Sequence, residues 1–375
     1  GAAAGAGGPP RWARDPKRII TWNANGFMTR VTSQQDLAAF QALVREHDPD
    51  VVCLQEARVK AHCSNPKAKV SSQDLRDRSR PLDSEFQGPL KKALEAPPLD
   101  AYKVFWSLAN GRAAGTALFV HGRLGAVEGT LASSLDAALA GCGGAGAGRK
   151  LDGHHPEGRL QYARFASLDL MNTYVPNNGW TAERHAERRG WDEAMDAFLR
   201  SRGEATQRPL LWCGDLNVAH TPADSTDEEA FRNEWDRDSK RFATREAYNE
   251  ATPPENRGIP GFSDGERERF SRLFTAGGLF DAWRRLHRVG ETPPEPGDAA
   301  FTWRGTPAVQ SRFRARYEGM GQRLDYFLLS EALAPRLARC EILGRGAGRE
   351  GFLGSDHCPV LLELREADAA AEGGS

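Results

Sequence analysis

Pro209-Leu-Leu-Trp-Cys-Gly-Asp-Leu-Asn217 decides the fold: it is apolar and unbroken to Cys213, then abruptly polar. An uninterrupted apolar run of this length belongs to a strand covered on both faces. The Gly-Asp-x-Asn that follows supplies turn formers. The same plan recurs along the chain. Ile19-Ile-Thr-Trp22 runs into Asn23-Ala-Asn25-Gly26, and Val51-Val-Cys-Leu54 runs into Gln55-Glu56. Leu170-Met runs into Asn172-Thr-Tyr174-Val-Pro176-Asn177, and Gly354-Ser-Asp356-His357 leads into an apolar run over 360–364. Further strands are predicted over 116–120, 164–170 and 325–329. Helical spacing of Leu37, Phe40, Leu43 and Val44 predicts a helix over 34–46, capped by Ser33 and closed by Pro49. Two more helices are predicted over 190–200 and 266–274. Strands and helices spread from end to end make an α/β domain.

Composition bounds the rest. The 375 residues carry 50 Lys+Arg against 51 Asp+Glu, a net charge of -1, which at first disfavours a nucleic-acid partner. No apolar run is long enough to span a bilayer, so no membrane role is expected. Six cysteines without a CxxC pair read as scattered reduced thiols of an intracellular protein. The chain opens on Gly1 rather than Met, which reads as a processed or trimmed end and leaves room for a lost targeting segment. The expected organisation is a flexible leader over 1–16, one catalytic domain over 17–366 and an acidic tail over 367–375. Polar or Gly-rich insertions interrupt the domain near 61–100, 132–158 and 222–260, each read as a long loop.

Polar residues at strand ends are where α/β proteins bind ligands. Several such ends converging on one rim would form an acidic, hydrogen-bonding pocket suited to metal-assisted phosphodiester hydrolysis. Mg²⁺ prefers carboxylate oxygen and keeps several waters. Glu56 and Asp356 are the expected ligands, with Asn23 and Asn25 nearby. Asp215 and Asn217, two apart on a strand end, are expected to point the same way, one handling a proton and the other holding phosphate or partner. His357 would contact a phosphoryl oxygen if an acid orients its other nitrogen. Asp325 is the expected orienting acid, in the otherwise apolar Arg323-Leu-Asp-Tyr-Phe-Leu-Leu329.

The ordered set Trp22-Asn-Ala-Asn-Gly26, Leu54-Gln-Glu56, Asn172-Thr-Tyr-Val-Pro-Asn177 and Cys213-Gly-Asp-Leu-Asn-Val-Ala-His220 resembles the exonuclease III type of apurinic/apyrimidinic (AP) endonuclease, within the endonuclease/exonuclease/phosphatase superfamily. Gly261-Phe-Ser-Asp-Gly-Glu-Arg267, Phe301-Thr-Trp303, Arg323-Leu-Asp-Tyr-Phe327 and Gly354-Ser-Asp-His-Cys-Pro359 continue the match in the family's order. The resemblance implies a four-layer sandwich of two packed mixed β-sheets flanked by helices. It implies a Mg²⁺-dependent DNA repair nuclease, with Mn²⁺ as a substitute, that cuts 5′ to abasic sites in double-stranded DNA and trims 3′ ends as a 3′–5′ exonuclease and 3′-phosphodiesterase. Glu56, Asp356 and Asn23 resemble the metal shell, to which Asp215 and Asn217 are adjacent or contribute. Asp215 resembles the residue that activates the attacking water, and Asn217 and Asn177 its supports. Tyr174 matches a tyrosine near the scissile phosphate, and His357 with Asp325 a phosphate-contacting pair. Trp303 and Leu324 match walls of an abasic-sugar pocket, and Phe262 sits in a stretch resembling a DNA-proximal loop.

Three departures accompany the match. Position 25 is Asn where some relatives carry Asp, so the ligand set is less negative. Position 322 is Gln where some carry Trp, so the pocket wall is more polar. Residues 179–185 replace the segment where some relatives carry a groove-inserting arginine, a part for which Arg184, Arg188 or Arg189 would substitute. Two other classes stay open: a superfamily phosphatase or RNase acting on an inositol phosphate, lipid or RNA 3′ end, and a non-catalytic nucleic-acid-binding module. A monomer is expected, in the nucleus, with an organelle as the alternative. The net charge also divides by segment. Residues 299–323 carry five Arg and one Glu, and 267–288 six Arg against Glu268 and Asp281, whereas 222–238 carry seven acids and two Arg. This segregation predicts a one-sided basic face for the phosphate backbone.

Overall fold

The computed structural model describes residues 12–62, 84–125, 131–142, 157–236, 240–287, 300–305 and 317–366. Strands are numbered in chain order. One six-stranded sheet contains β1 (Arg18–Asn23), β2 (Val51–Gln55), β3 (Tyr102–Ser107), β4 (Thr116–His121), β12 (Leu337–Ile342) and β13 (Val360–Leu364). Its order is β12-β13-β1-β2-β4-β3, with β1 and β2 parallel and the remaining pairs antiparallel. A five-stranded sheet contains β5 (Leu160–Arg164), β6 (Asp169–Tyr174), β7 (Leu210–Asp215), β8 (Leu279–Asp281) and β11 (Asp325–Ser330), in the order β5-β6-β7-β11-β8. A short ribbon pairs β9 (Trp303–Arg304) with β10 (Gly321–Gln322).

Alternation along each apolar run explains the layering. Ile19, Val51, Cys53, Leu118, Leu211, Cys213, Phe327 and Leu362 face one another between the sheets. Their chain neighbours point outward. Ile20, Val52, Leu54 and Phe119 pack under the helix Gln34–His47 through Phe40, Leu43 and Val44. Trp212, Met171, Tyr326 and Leu328 pack under the helices Ala182–Ala205 and Asp264–Gly277 through Trp191, Met195, Phe198, Phe270 and Leu273. Both faces of both sheets are therefore buried, and the result is the expected four-layer sandwich.

Ser33 caps the helix Gln34–His47 by accepting a hydrogen bond from the Asp36 N–H, as predicted. Other expectations need correction. The run over 164–170 is two strands, β5 and β6, joined by a turn that the Phe165 N–H closes onto the Leu168 carbonyl at 2.8 Å. The helices predicted over 190–200 and 266–274 are longer, because Thr181 caps one and a Ser263–Glu266 capping box starts the other. The leader is not wholly loose: Trp12 is buried and stacks on Phe165 at 4.7 Å. The insertion over 222–260 is ordered in its described part, with helices Glu228–Arg232 and Arg245–Ala251. Residues 1–11 and 367–375, and most of the other two insertions, lie outside the described residues. The five described cysteines are all free and buried. No helix among the described residues is long and apolar enough to cross a membrane.

Candidate active site

Strand register assembles the site. In the five-stranded sheet Tyr174 pairs with Asp215, and Asp215 with Asp325, so three polar side-chain positions lie abreast at one end of neighbouring strands. In the other sheet Asn23 pairs with Gln55, and Glu56 follows with a left-handed φ of 45°. Asn25 and Asn217 share that conformation at φ 45° and 48°. Such backbone is sparsely populated outside glycine and collects at functional sites. Gly214 is required at its position, since a Cβ there would lie 2.0 Å from the Thr173 carbonyl oxygen.

Two hydrogen-bonded clusters meet across the gap between the sheets. Asn23 bridges them: its Nδ2 donates to Asp215 Oδ2 at 2.8 Å and to Glu56 Oε1 at 3.2 Å. Tyr174 donates to Glu56 Oε1 at 2.8 Å, and Asn25 Nδ2 donates to Asp356 Oδ1 at 2.7 Å. On the other side His357 Nδ1 pairs with Asp325 Oδ2 at 2.8 Å, and its Nε2 lies 3.9 Å from Asp215 Oδ2. Asp325 is held in turn by its own N–H on Thr302 Oγ1 at 3.0 Å. Asn177 Nδ2 donates to Asn217 Oδ1 at 3.1 Å, and Asn217 Nδ2 to the Val175 carbonyl at 2.9 Å.

Two expectations about placement are corrected. Asp215 and Asn217 meet through an Asx turn rather than strand alternation, the Asn217 N–H donating to Asp215 Oδ1 at 2.9 Å. Asn172 is not a rim residue, because β6 continues to Tyr174. Asn172 instead lies buried between the sheets, accepting from Gln55 Nε2 at 2.7 Å.

Burial and neighbours set the charges. Burial pushes the Asp215 carboxyl up to about 7; Asp325 adds to the rise and His357 opposes it. Burial alone would strip the His357 proton, but the charges of Asp325 and Asp215 outweigh it and raise the imidazole to about 10. Burial would also protonate Glu56; the adjacent Arg58 and hydrogen bonds from Arg58, Tyr174 and Asn23 prevail and hold it below its usual range. Burial, then the Glu56 charge, pushes the Tyr174 phenol well up, so it stays a protonated donor.

Glu56, Asp356, Asn23 and Asn25 form an oxygen-rich set of the kind hard cations prefer. Asp215, Asp325 and His357 are a second group, with ligand atoms within 4.8 Å of one another. In that group, however, the His357–Asp325 bond already uses one nitrogen and one oxygen.

Beside these acids opens a cavity of about 410 Å³. Trp303, Leu324 and Gln322 line it, together with Tyr174, Asn177, Asp215, Asn217, His357, Glu56 and Asp356. Trp180, Tyr317, Ile259 and Pro260 also line it, and sequence reading did not single them out. Ile259 and Pro260 come from the end of the 222–260 insertion, so that segment builds part of the wall. Arg58 was missed too, although it stands two residues after Glu56 and donates to it at 2.9 Å.

Phe262 does not reach the cavity. It is buried behind the wall beside Ile259, with Arg267 stacked over its ring at 4.8 Å. Arg188 is not a DNA-facing arginine: it is 1% exposed, and its guanidinium is spent on the carbonyls of Pro176, Leu216 and Asn217 and on Asp192. Arg184 and Arg189 are exposed, with Arg184 paired to Glu187 at 2.7 Å.

The basic segments need the same correction. Arg323 is buried between Asp224 and Asp281, at 2.7 and 2.6 Å, and Arg304 is buried against Phe301. Arg269 pairs with Asp192, Arg284 with Asp224 and Arg285 with Glu331. Arg288, Arg312, Arg314 and Arg316 lie outside the described residues. Arg269, Arg284 and Arg323 therefore balance buried acids rather than face outward as free charge.

The model of the Endonuclease/Exonuclease/phosphatase family matches residues 20–357. A DNA-(apurinic or apyrimidinic site) endonuclease of Arabidopsis thaliana is 38% identical over 362 residues, covering 96% of this chain and 87% of the relative. An exodeoxyribonuclease of Bacillus subtilis is 28% identical over 346 residues, covering 92% and 98%. Among solved structures, an AP endonuclease from Archaeoglobus fulgidus shares the fold with a TM-score of 0.56 at 19% identity, covering 93% of this chain and all of that one. With sequence motifs, register and these likenesses in agreement, the chain belongs to the endonuclease/exonuclease/phosphatase family, in its exonuclease III/AP endonuclease branch.

Proposed function

We propose that the protein is a metal-dependent DNA repair nuclease that hydrolyses the phosphodiester 5′ to abasic sites in duplex DNA and trims blocked 3′ ends. The observation that carries this reading is the meeting of Glu56, Asp356, Asp215 and His357 on the wall of one cavity, with Asp325 bonded behind His357. The named activities of the Arabidopsis and Bacillus relatives support it.

Glu56 and Asp356, with Asn23 and Asn25, would hold Mg²⁺, or Mn²⁺ in its place. A bound cation supplies charge neutralisation at the phosphate. Asp215, fixed by Asn23 and the Asn217 N–H and raised towards neutrality, is suited to take the proton of an attacking water. His357, charged and oriented by Asp325, would offer Nε2–H to a phosphoryl oxygen. Asn177 acts through Asn217, and Tyr174 holds Glu56 in place. A monomer suffices for this chemistry, since every named group comes from one chain.

The test is a panel of an abasic-site duplex, a 3′-phosphate duplex, single-stranded RNA and an inositol phosphate, each with Mg²⁺ and with EDTA. The abasic and 3′-phosphate duplexes should be cut only with Mg²⁺. Cleavage unaffected by EDTA, or preference for RNA or inositol phosphate, would overturn the reading.

A further inference from the structure

The sandwich has a second cavity, of about 590 Å³, at the end opposite the catalytic acids. Lys17 and Arg18 wall it where β1 starts, Glu366 where β13 has ended, and Ala166 and Ser167 in the turn between β5 and β6. The catalytic groups lie at the other ends of β1 and β6, roughly 20 Å away. The leader supplies another part of the wall. Trp12 and Ala13 donate their N–H groups to the Arg164 and Gly125 carbonyls at 3.1 and 3.2 Å, which pins the chain beside Arg14.

Five cations, Arg14, Lys17, Arg18, Arg123 and Arg336, line this cavity against the three carboxylates of Asp15, Asp50 and Glu366. Two of the cations are neutralised by close acids: Arg18 pairs with Asp48 at 3.0 Å, and Arg123 with Asp48 and Asp50 at 2.7 and 2.6 Å. The other three retain donors. Arg14 is exposed and meets no acid among the described residues. Lys17 pairs with Glu366, but both side chains are more than half exposed, and such pairs contribute little. The Arg336 side chain is 12% exposed and bonds Asp15 at 2.9 Å and the Arg365 carbonyl at 3.1 Å. Its other terminal nitrogen has no partner among the described residues. Asp15 does not fully offset it, since that carboxylate also accepts from the Ser167 N–H at 2.7 Å and from the Ser167 hydroxyl.

Three cations with donors to spare around one cavity favour an anion. Guanidinium forks match both carboxylate and phosphate, and the number of converging cations favours the more highly charged of the two. The volume lies in the range of small-molecule sites and exceeds what one phosphate fills. Leu124 and Ala166 are the only apolar residues among its described walls, and none is aromatic, so nothing there stacks on a base. We propose that this cavity is a second ligand site for a compact polyphosphate, a small molecule with two or more phosphates and no aromatic part, held by Arg14, Lys17 and Arg336. The site is separate from the hydrolytic one and stands or falls independently of the nuclease reading.

Isothermal titration with tripolyphosphate tests it, in EDTA so that no metal ion draws the probe to Glu56 and Asp356. Citrate, a tricarboxylate, controls for charge alone. Wild-type protein should bind tripolyphosphate one to one with a Kd of roughly 10–100 µM, and citrate about tenfold more weakly. In the double variant Arg14→Gln, Lys17→Gln the affinity should fall about tenfold. Its thermal midpoint should not change, because both side chains lie at the surface and the Lys17 N–H that holds Asp50 is kept. A saturating abasic duplex should leave the titration unaltered. Absence of binding at about 1 mM probe, full affinity in the double variant, or citrate binding as tightly as tripolyphosphate would overturn the proposal. So would displacement of the probe by the duplex, which would place it at the DNA site instead.

Discussion

Asp325 and His357 act as one unit because each removes the other's burial penalty. The imidazole is held charged by two carboxylates, and Asp325 is buried with His357 as its charged partner. Residues that work as a unit lose their effect together. Asp325→Asn and His357→Gln are each expected to lower kcat by roughly 100-fold, within the range for loss of one hydrogen-bond donor to transition-state charge. The double variant should be little worse than either single one. Steady-state kinetics on an abasic duplex would check this, and multiplicative losses would separate the two roles.

Among the elements, the helix Ala182–Ala205 does more than cover a sheet. From its second turn Arg188 reaches under the loops after β6 and β7 and binds the Pro176, Leu216 and Asn217 carbonyls with 3.0–3.1 Å contacts. Those loops carry Asn177 and Asn217, so Arg188 is a positioning residue. Arg188→Met should destabilise the fold by roughly 3 kcal/mol in urea unfolding, since it leaves buried carbonyls unpaired and removes one cation from Asp192. Arg188→Lys should rescue little, because an ammonium cannot reproduce the guanidinium fork.

The same helix shows what could be read in advance. Its apolar stripe through Trp191, Met195, Phe198 and Leu199 was legible by period, and its capped start at Thr181 was not, for lack of apolar residues in the first turns. Most central strands were legible as apolar runs, and the site acids as the polar residues that end them. Edge and ribbon strands such as β3, β9 and β10 escaped notice, being short or only partly buried. The inward turn of Arg188 and Arg323 also escaped, because charge counts along the chain do not register the acids that meet those groups in space. Trp180, Tyr317, Ile259 and Pro260 reach the cavity by tertiary packing alone, with no local pattern to mark them.

For the whole molecule, buried ion pairs tie distant parts of the sandwich and make its stability sensitive to acid. Asp169, at the start of β6, accepts from Tyr162, Arg202 and Arg208 at 2.6–2.9 Å. Burial raises its carboxyl, but these partners outweigh that and leave it below its usual value. Its folded value lies under the unfolded one of about 3.9. Its contribution is therefore complete above about pH 4 and is lost as pH falls through the folded value. Thermal midpoints should fall as pH is lowered below about 4, and Asp169→Asn should be less stable at pH 7 and flatter over that acid range.

In the proposed mechanism these converging groups make a hydrolytic site with Asp215 as the proton acceptor. Single-turnover cleavage of a duplex carrying one abasic site, with Mg²⁺ and with DNA binding measured in parallel, tests it most directly. Wild-type protein should cut on the 5′ side and leave a 3′-hydroxyl. Asp215→Asn should bind the duplex within a few-fold of wild type yet cut it about 1,000-fold more slowly, within the range for loss of a general base. An Asp215→Asn protein that cuts at near the wild-type rate would rule out Asp215 as the proton acceptor.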